Sequence, residues 1–306
     1  MFAKKILLSA IFSLVVAVGP AYCATAFDKE RAITHLRKQC EFGPRVPGTP
    51  AYEQTKDYLK KELSRWADEV QEQKFQARIG EKQLELTNLI AFIKPKSDKA
   101  ACPIQTECAA EAKNWALVCA HWDTRPIADM EFDPDRRTQP IPGANDGASG
   151  TGVVLELARV LHEQRPSRGV ILVLFDGEDQ GKTSSQMFLG SRHFAKEYRG
   201  PKPEWGVLVD MVGDEDLEIP MEGYSRKHAP AVVERVWQAA EELGSQVFVR
   251  RRGAWIMDDH LLLQKAGIPC IAVIDFNYPY WHTLADTPDK CSADSLQIVG
   301  EVMLKV

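Results

Sequence analysis

The chain has 306 residues, 44% hydrophobic and 26% charged, with a formal net charge of −5 and a mean hydropathy of −0.27. The apolar fraction is too high for a disordered chain, and the charged fraction too high for a polytopic membrane protein. A pI near 5.9 lacks the basic footprint of a nucleic-acid binder, which leaves a globular protein with a sizeable core.

Residues 1–26 have the layout of a secretory signal. Lys4 and Lys5 supply a positive start, Ile6 to Gly19 an apolar stretch, and Ala24-Thr25-Ala26 small residues for cleavage. The apolar stretch falls short of the roughly 20 residues that a membrane span needs, so export to the periplasm or the medium is expected, without stable membrane insertion. Cleavage after Ala26 would remove Cys23 and leave six of the seven cysteines. An even count in an exported chain is compatible with disulfides, and Cys102 with Cys108 is the expected local bridge. Cys119 and Cys270 lie inside apolar runs and are expected to be buried thiols.

Thr49-Pro50 followed by 51–68 predicts a capped helix with proline in its first turn. The period then changes: 70–78 and 84–93 alternate β-branched and aromatic residues with polar ones, as strands do. Residues 95–113 are polar and irregular, a surface insertion. Beyond them an apolar run of strand length, a polar or acidic turn and a helical segment recur. The runs are 115–120, 170–175, 205–209 and 268–274; the helical segments are 151–163, 229–243, 260–266 and 294–306. Strands that are apolar throughout and alternate with helices imply a sheet covered on both faces. One α/β domain over 27–306 is the expectation. His35, His162, His193 and His228 sit among charged residues and are expected to be solvated, as is Arg250-Arg251-Arg252, read as a loop.

Each of the four apolar runs ends in ionisable residues. They are His121 and Asp123, then Asp176, Glu178 and Asp179, then Asp210, and then Asp275 with His282 shortly after. Ligands of open α/β sheets bind outside the carboxyl ends of the strands, so four such ends along one edge outline a site. Between the first two runs, residues 143–150 (GANDGASG) present Asp146 on a turn of small residues. The turn has no Walker lysine and no dinucleotide glycine spacing, and its acid would repel a phosphate. Two acids and a histidine with an open position are what a catalytic zinc site uses. With one carboxylate of the 178–179 pair on a metal, the other is free to move protons.

The blocks LVCAHWDTRP, GANDGASG, LFDGED, VLVDMVGD, DDH and WHTLADT, in this order, resemble the zinc-dependent exopeptidase superfamily of the M28 aminopeptidase type. Within it the chain is most similar to the animal-type glutaminyl-peptide cyclotransferases and their bacterial relatives. Asp258-Asp259-His260, the aromatic stretch 276–280 and Trp281 directly before His282 carry that likeness. The resemblance implies a central twisted, mixed but mostly parallel sheet with helices on both faces. It implies one Zn²⁺ held by Asp146, Asp179 and His282, with Glu178 as acid/base residue and Asp210 and Asp258 as its hydrogen-bonding partners. Trp281, Tyr278 and Trp255 would bind substrate, a peptide or protein with an N-terminal glutamine. Two departures stand out: Asp179 replaces the Glu of many relatives, and 180–186 lacks a tryptophan that the animal enzymes carry. The rival within the superfamily is a two-zinc aminopeptidase, in which His121 and Asp210 would hold the second metal.

Overall fold

The computed structural model describes residues 26–96 and 114–306. The expected signal segment, apart from Ala26, and the expected Cys102–Cys108 bridge therefore lie outside the described residues. Two helices come first. α1 (Lys29–Phe42) is capped by Asp28, whose side chain accepts from the amides of Glu30 and Arg31. α2 (Pro50–Trp66) is capped by Thr49 with Pro50 in its first turn, as the sequence predicts. A long hairpin follows, β1 (Glu69–Ile79) and β2 (Lys82–Ile93).

The alternating part of the chain then runs β3 (Trp115–His121), α3 (Ala148–Gln164), β4 (Gly169–Phe175), α4 (Leu189–Glu197) and β5 (Trp205–Asp210). It continues with β6 (Ile219–Met221), α5 (Gly223–His228), α6 (Pro230–Glu242), β7 (Phe248–Arg252), α7 (His260–Lys265), β8 (Cys270–Ile274) and α8 (Ala293–Lys305). The main sheet has the order β1-β2-β4-β3-β5-β8. β1 with β2 and β2 with β4 are antiparallel, and the other pairs are parallel. Successive residues of β3 feed opposite faces: Ala116, Val118 and Ala120 enter the core under α1, α2, α3, α6 and α8, while Trp115, Leu117 and Cys119 enter the core that includes Phe194 of α4 and Leu263 of α7. This period-two split of fully buried strands is why they read as continuous apolar runs. The mixed, doubly covered α/β sheet is the expected fold class.

Close packing of helix on strand sets the geometry below the site. A Cβ on Gly150 of α3 would stand 2.1 Å from the Val209 carbonyl oxygen of β5, so only glycine lets the helix start this close to the sheet.

Several local expectations are corrected. The helix expected over 229–243 is α6, opened by Pro230, and the sequence reading passes over the short α5 that precedes it. Arg250-Arg251-Arg252 is not a loop but part of β7, which pairs with β6. Arg250 meets Glu234 and Glu241 across it, and Arg251 meets Glu218. His35 is buried, with Nδ1 2.6 Å from the Tyr58 hydroxyl, and burial pushes its ring down to about 4. His162 and His193 are half-buried, the first with Nδ1 2.5 Å from the Trp66 carbonyl and the second stacked on Phe75, whereas His228 is exposed. The four described cysteines, Cys40, Cys119, Cys270 and Cys291, are free thiols. Cys119 and Cys270 stand on the strands flanking β5 and are buried, as expected for thiols inside apolar strands. No helix among the described residues is long and apolar enough to cross a membrane.

Candidate metal centre and active-site pocket

The carboxyl ends of β4, β3, β5 and β8 open on one edge of the sheet. His121 is the last residue of β3 and Asp210 the last of β5. Asp146 arrives on the turn before α3, where Gly147 has φ +91° and a Cβ would stand 2.8 Å from the His121 ring. Glu178 and Asp179 leave the end of β4, and His282 comes from the loop after β8. His282 and Met211 both hold left-handed backbone, φ 57° and 49°.

Asp146, Asp179 and His282 bring one ligand atom each to within 4.8 Å of one another. His282 Nε2 lies 3.3 Å from Asp179 Oδ2 and 3.7 Å from Asp146 Oδ2. All three residues are buried, and Asp179 Oδ2 has no hydrogen-bond partner. A buried carboxylate oxygen left bare beside an imidazole nitrogen and a second carboxylate fits a divalent cation, and two oxygens plus one nitrogen suit zinc. A second cluster shares Asp146: His121 Nε2 lies 3.1 Å from Asp146 Oδ1 and 3.2 Å from Asp210 Oδ1.

A pocket of about 240 Å³ opens over these groups. Its floor carries Asp146, Glu178, Asp179, Asp210, Asp258 and His282, and its walls Trp255, Ile256, Met257, Phe276 and Trp281. Trp281 stacks on the His282 ring with centroids 3.8 Å apart. The structure thus gathers every expected site residue except one. Tyr278 is buried away from the pocket, and its hydroxyl donates to Asp286 Oδ1 at 2.9 Å. Phe276 occupies the wall instead, 42% exposed at the mouth. Among the other strand-end acids, Asp275 accepts from the amides of Glu218 and Asn277, and Asp176 from the Tyr52 hydroxyl and the Thr87 amide.

The environment of Glu178 differs in detail from the expected one. Burial, then the charge of Asp179, push its carboxyl well above the usual carboxylate range, with Asp258 and Asp259 adding to the effect. Asp258 is raised in the same way, by burial and by Asp210 and Asp259. Neither Asp210 nor Asp258 donates to or accepts from Glu178 directly. Asp210 faces His121, while Asp258 accepts the Asp259 amide through Oδ1 and leaves Oδ2 without a partner. Asp258 acts on Glu178 through charge, and Asp210 acts in the same way on Asp258. His121 is raised well above its ordinary value: burial opposes the charged ring, but Asp210, Asp123 and Asp146 override it.

The sequence marks Asp123 only as a strand-end acid, and it passes over the other groups that hold this floor. Asp123 accepts the amides of Glu178 at 3.0 Å and Asp179 at 3.2 Å, one on each oxygen. Asp286 does the same for Asn145 at 2.8 Å and Asp146 at 3.2 Å. Fully buried Arg45 donates to the carbonyls of Trp122, Pro142, Gly143 and Asp146. Asp146, Glu178 and Asp179 are thus each held through a backbone amide.

The model of peptidase family M28 matches residues 104–306. The glutaminyl-peptide cyclotransferase of Drosophila melanogaster is 24% identical over 87% of this chain and 78% of its own length. Among solved structures, Bacteroides thetaiotaomicron glutaminyl cyclase bound to N-acetylhistamine superposes with a TM-score of 0.84 at 34% identity, over 92% of this chain and 98% of that one. A leucine aminopeptidase precursor from Bacteroides thetaiotaomicron superposes equally well, with a TM-score of 0.85 at 34% identity over 92% and 97%. The chain belongs to the zinc-dependent peptidase M28 family, and within it to the group of the glutaminyl cyclases.

Proposed function

We propose that this protein is a glutaminyl-peptide cyclotransferase, which closes the N-terminal glutamine of a peptide or protein to pyroglutamate and releases ammonia. The observation that carries the reading is the pocket: a small, apolar-walled space sized for one side chain, with Glu178 and a three-ligand metal set on its floor. The likeness to glutaminyl cyclases over nearly the whole chain supports it.

In this reading Asp146, Asp179 and His282 hold one zinc ion. When bound, zinc supplies a Lewis acid at the γ-carboxamide carbonyl of the substrate. Glu178 takes the proton of the substrate's α-ammonium group. The freed amine attacks the γ-carbonyl carbon, the C–N bond of the carboxamide breaks, and Glu178 passes the two protons shed by the attacking nitrogen, one after the other, to the leaving group, which departs as ammonium. A carboxyl raised by burial and by its neighbour Asp179 suits both directions of that transfer near neutral pH. Asp258, itself raised by Asp210, keeps its basicity high, and Trp281 walls the glutaminyl side chain. No water has to enter, so the apolar walls of Ile256, Met257 and Phe276 protect the reaction rather than obstruct it. Export, with residues 1–26 removed, belongs to the same reading and rests on the sequence of that segment.

A two-metal aminopeptidase is the second reading, favoured by the His121–Asp146–Asp210 cluster and by the leucine aminopeptidase precursor among the similar structures. Incubation with Gln-Ala separates the two. Ammonia with pyroglutamyl-alanine is the expected product, and free glutamine with free alanine would overturn the proposal.

A further inference from the structure

Arg125 has no part in the reading above, yet it touches both sides of the metal set. It follows β3 by four residues and is 5% exposed. Its guanidinium is shared among three acceptors. Nη1 donates to Asp179 Oδ1 and, at 3.3 Å, to the Gly181 carbonyl. Nε and Nη2 take the two oxygens of Asp129 at 2.8 and 2.7 Å, a bidentate fork. Asp129 Oδ1 in turn lies 3.1 Å from Nδ1 of His282. A continuous path therefore runs from Asp179 through Arg125 and Asp129 to His282, and the other atoms of its two end residues, Asp179 Oδ2 and His282 Nε2, face each other at 3.3 Å.

We propose that Arg125 is a positioning residue that makes Asp179 a one-oxygen zinc ligand and, through Asp129, fixes the ring of His282, so that two of the three ligands move as one unit. The proposal rests on the assignment of Asp146, Asp179 and His282 as the zinc ligands. A carboxylate beside a metal can bind through one oxygen or both. At Asp179 a charge-assisted bond occupies Oδ1, while Oδ2 is buried and bare, so one oxygen alone is left to offer. A four-coordinate zinc site with three protein ligands and an open position needs that economy, since a second carboxylate oxygen would fill the substrate's place. On the other ligand, a carboxylate on Nδ1 sets the tautomer and leaves Nε2 unprotonated for the metal. Arginine is required because only a planar fork reaches both acids in one plane; a lysine ammonium is a point charge without that geometry. The plain alternative is that the Arg125–Asp129 pair merely stiffens its own loop. That role would appear in the stability of the protein and leave its metal affinity alone.

The test titrates the zinc-loaded full chain with a competing chelator and records the visible absorption of the Co²⁺-substituted protein. Arg125→Lys and Arg125→Met are each expected to weaken zinc by about 10–100-fold. Both should also lose cobalt band intensity as coordination rises above four, with lysine giving no rescue. Asp129→Asn is the milder variant, should Arg125→Met fail to fold. It leaves Arg125 on Asp179 and is expected to weaken zinc by several-fold through His282 alone. Wild-type affinity and an unchanged cobalt spectrum in the arginine variants would overturn the proposal, as would rescue of both by lysine. Asp146→Asn separates the two levels. If it loses zinc while the arginine variants do not, only the role of Arg125 falls. If it too binds zinc as the wild type does, the ligand assignment falls and takes the proposal with it.

Discussion

The helical layer and the strand-end edge both bury charge, and they treat it in opposite ways. Under α1 and α3, Glu156 is fully buried and fully engaged: it accepts the Asp28 amide at 3.0 Å, Arg31 Nε at 3.1 Å and the Arg159 guanidinium. At the strand ends, the four buried carboxylate oxygens without a partner among the described residues belong to Asp176, Asp179, Asp258 and Asp259. Structural charge in this protein is closed by its own chain; the charge at the edge is left open, at a cost to folding. Open acceptors crowded beside one another also raise each other's proton affinity, as Glu178 and Asp258 show. The difference teaches where to look for chemistry: among buried acids, those with open oxygens that also line a pocket, as Asp179 and Asp258 do and Asp176 does not.

That contrast can be broken by substitution on either side. Glu178→Gln keeps the shape of the floor and removes its proton carrier. Ammonia release from Gln-Ala should fall by about 10²–10⁴-fold while zinc content stays at the wild-type level. Full activity in that variant would remove Glu178 from the reaction. Glu156→Gln on the helical side should do the reverse. Stability in denaturant falls by about 3–5 kcal/mol as Arg31 and Arg159 lose their shared anion, with turnover per folded molecule unchanged. A loss of turnover without loss of stability would erase the distinction between the two regions.

A smaller effect sharpens the comparison within the helical layer, which has no room for unpaired charge. His35 is held down to about 4 by burial, with Arg31 and Arg65 adding to it, against 6.5 for an unfolded chain. Between those values the unfolded state binds the proton and the folded state does not. Stability contributed by the neutral ring is therefore complete above about pH 6.5 and is lost as pH falls towards about 4, by about 3 kcal/mol in total. His35→Gln should flatten that part of a curve of stability against pH; an unaltered curve would mean that other groups govern acid unfolding.

Much of the edge was legible in the sequence because its signal is local. A strand that is buried on both faces must end somewhere, and an acid or histidine at four such ends marks one rim. The groups that hold the rim were not legible, because their partners are remote. Asp286 grips the amide of Asp146 from 140 positions away, and Arg45 reaches the carbonyl of the same residue across 101. Asp123 and Arg125 lay inside a recognisable block, but their roles depend on backbone amides and on Asp129, which only the folded chain brings together. Tyr278 was drawn to the pocket by its aromatic neighbours, and the turn after β8 sends it instead to Asp286. α1 and β7 escaped notice for a compositional reason. Their buried positions, such as Ala32, Ile33, Leu36 and Phe248, are few among many charges, and Arg250 and Arg251 are neutralised by acids on other elements.

The central claim is that one metal and one open carboxylate suffice for cyclisation at this edge. Zinc titrated into metal-stripped protein, with Gln-Ala as substrate and both ammonia and free glutamine measured, tests it most directly. The account predicts ammonia release that rises to a plateau at one equivalent of zinc, with no free glutamine. A plateau reached only at two equivalents, with free glutamine accumulating, would contradict it and assign His121 and Asp210 to a second metal.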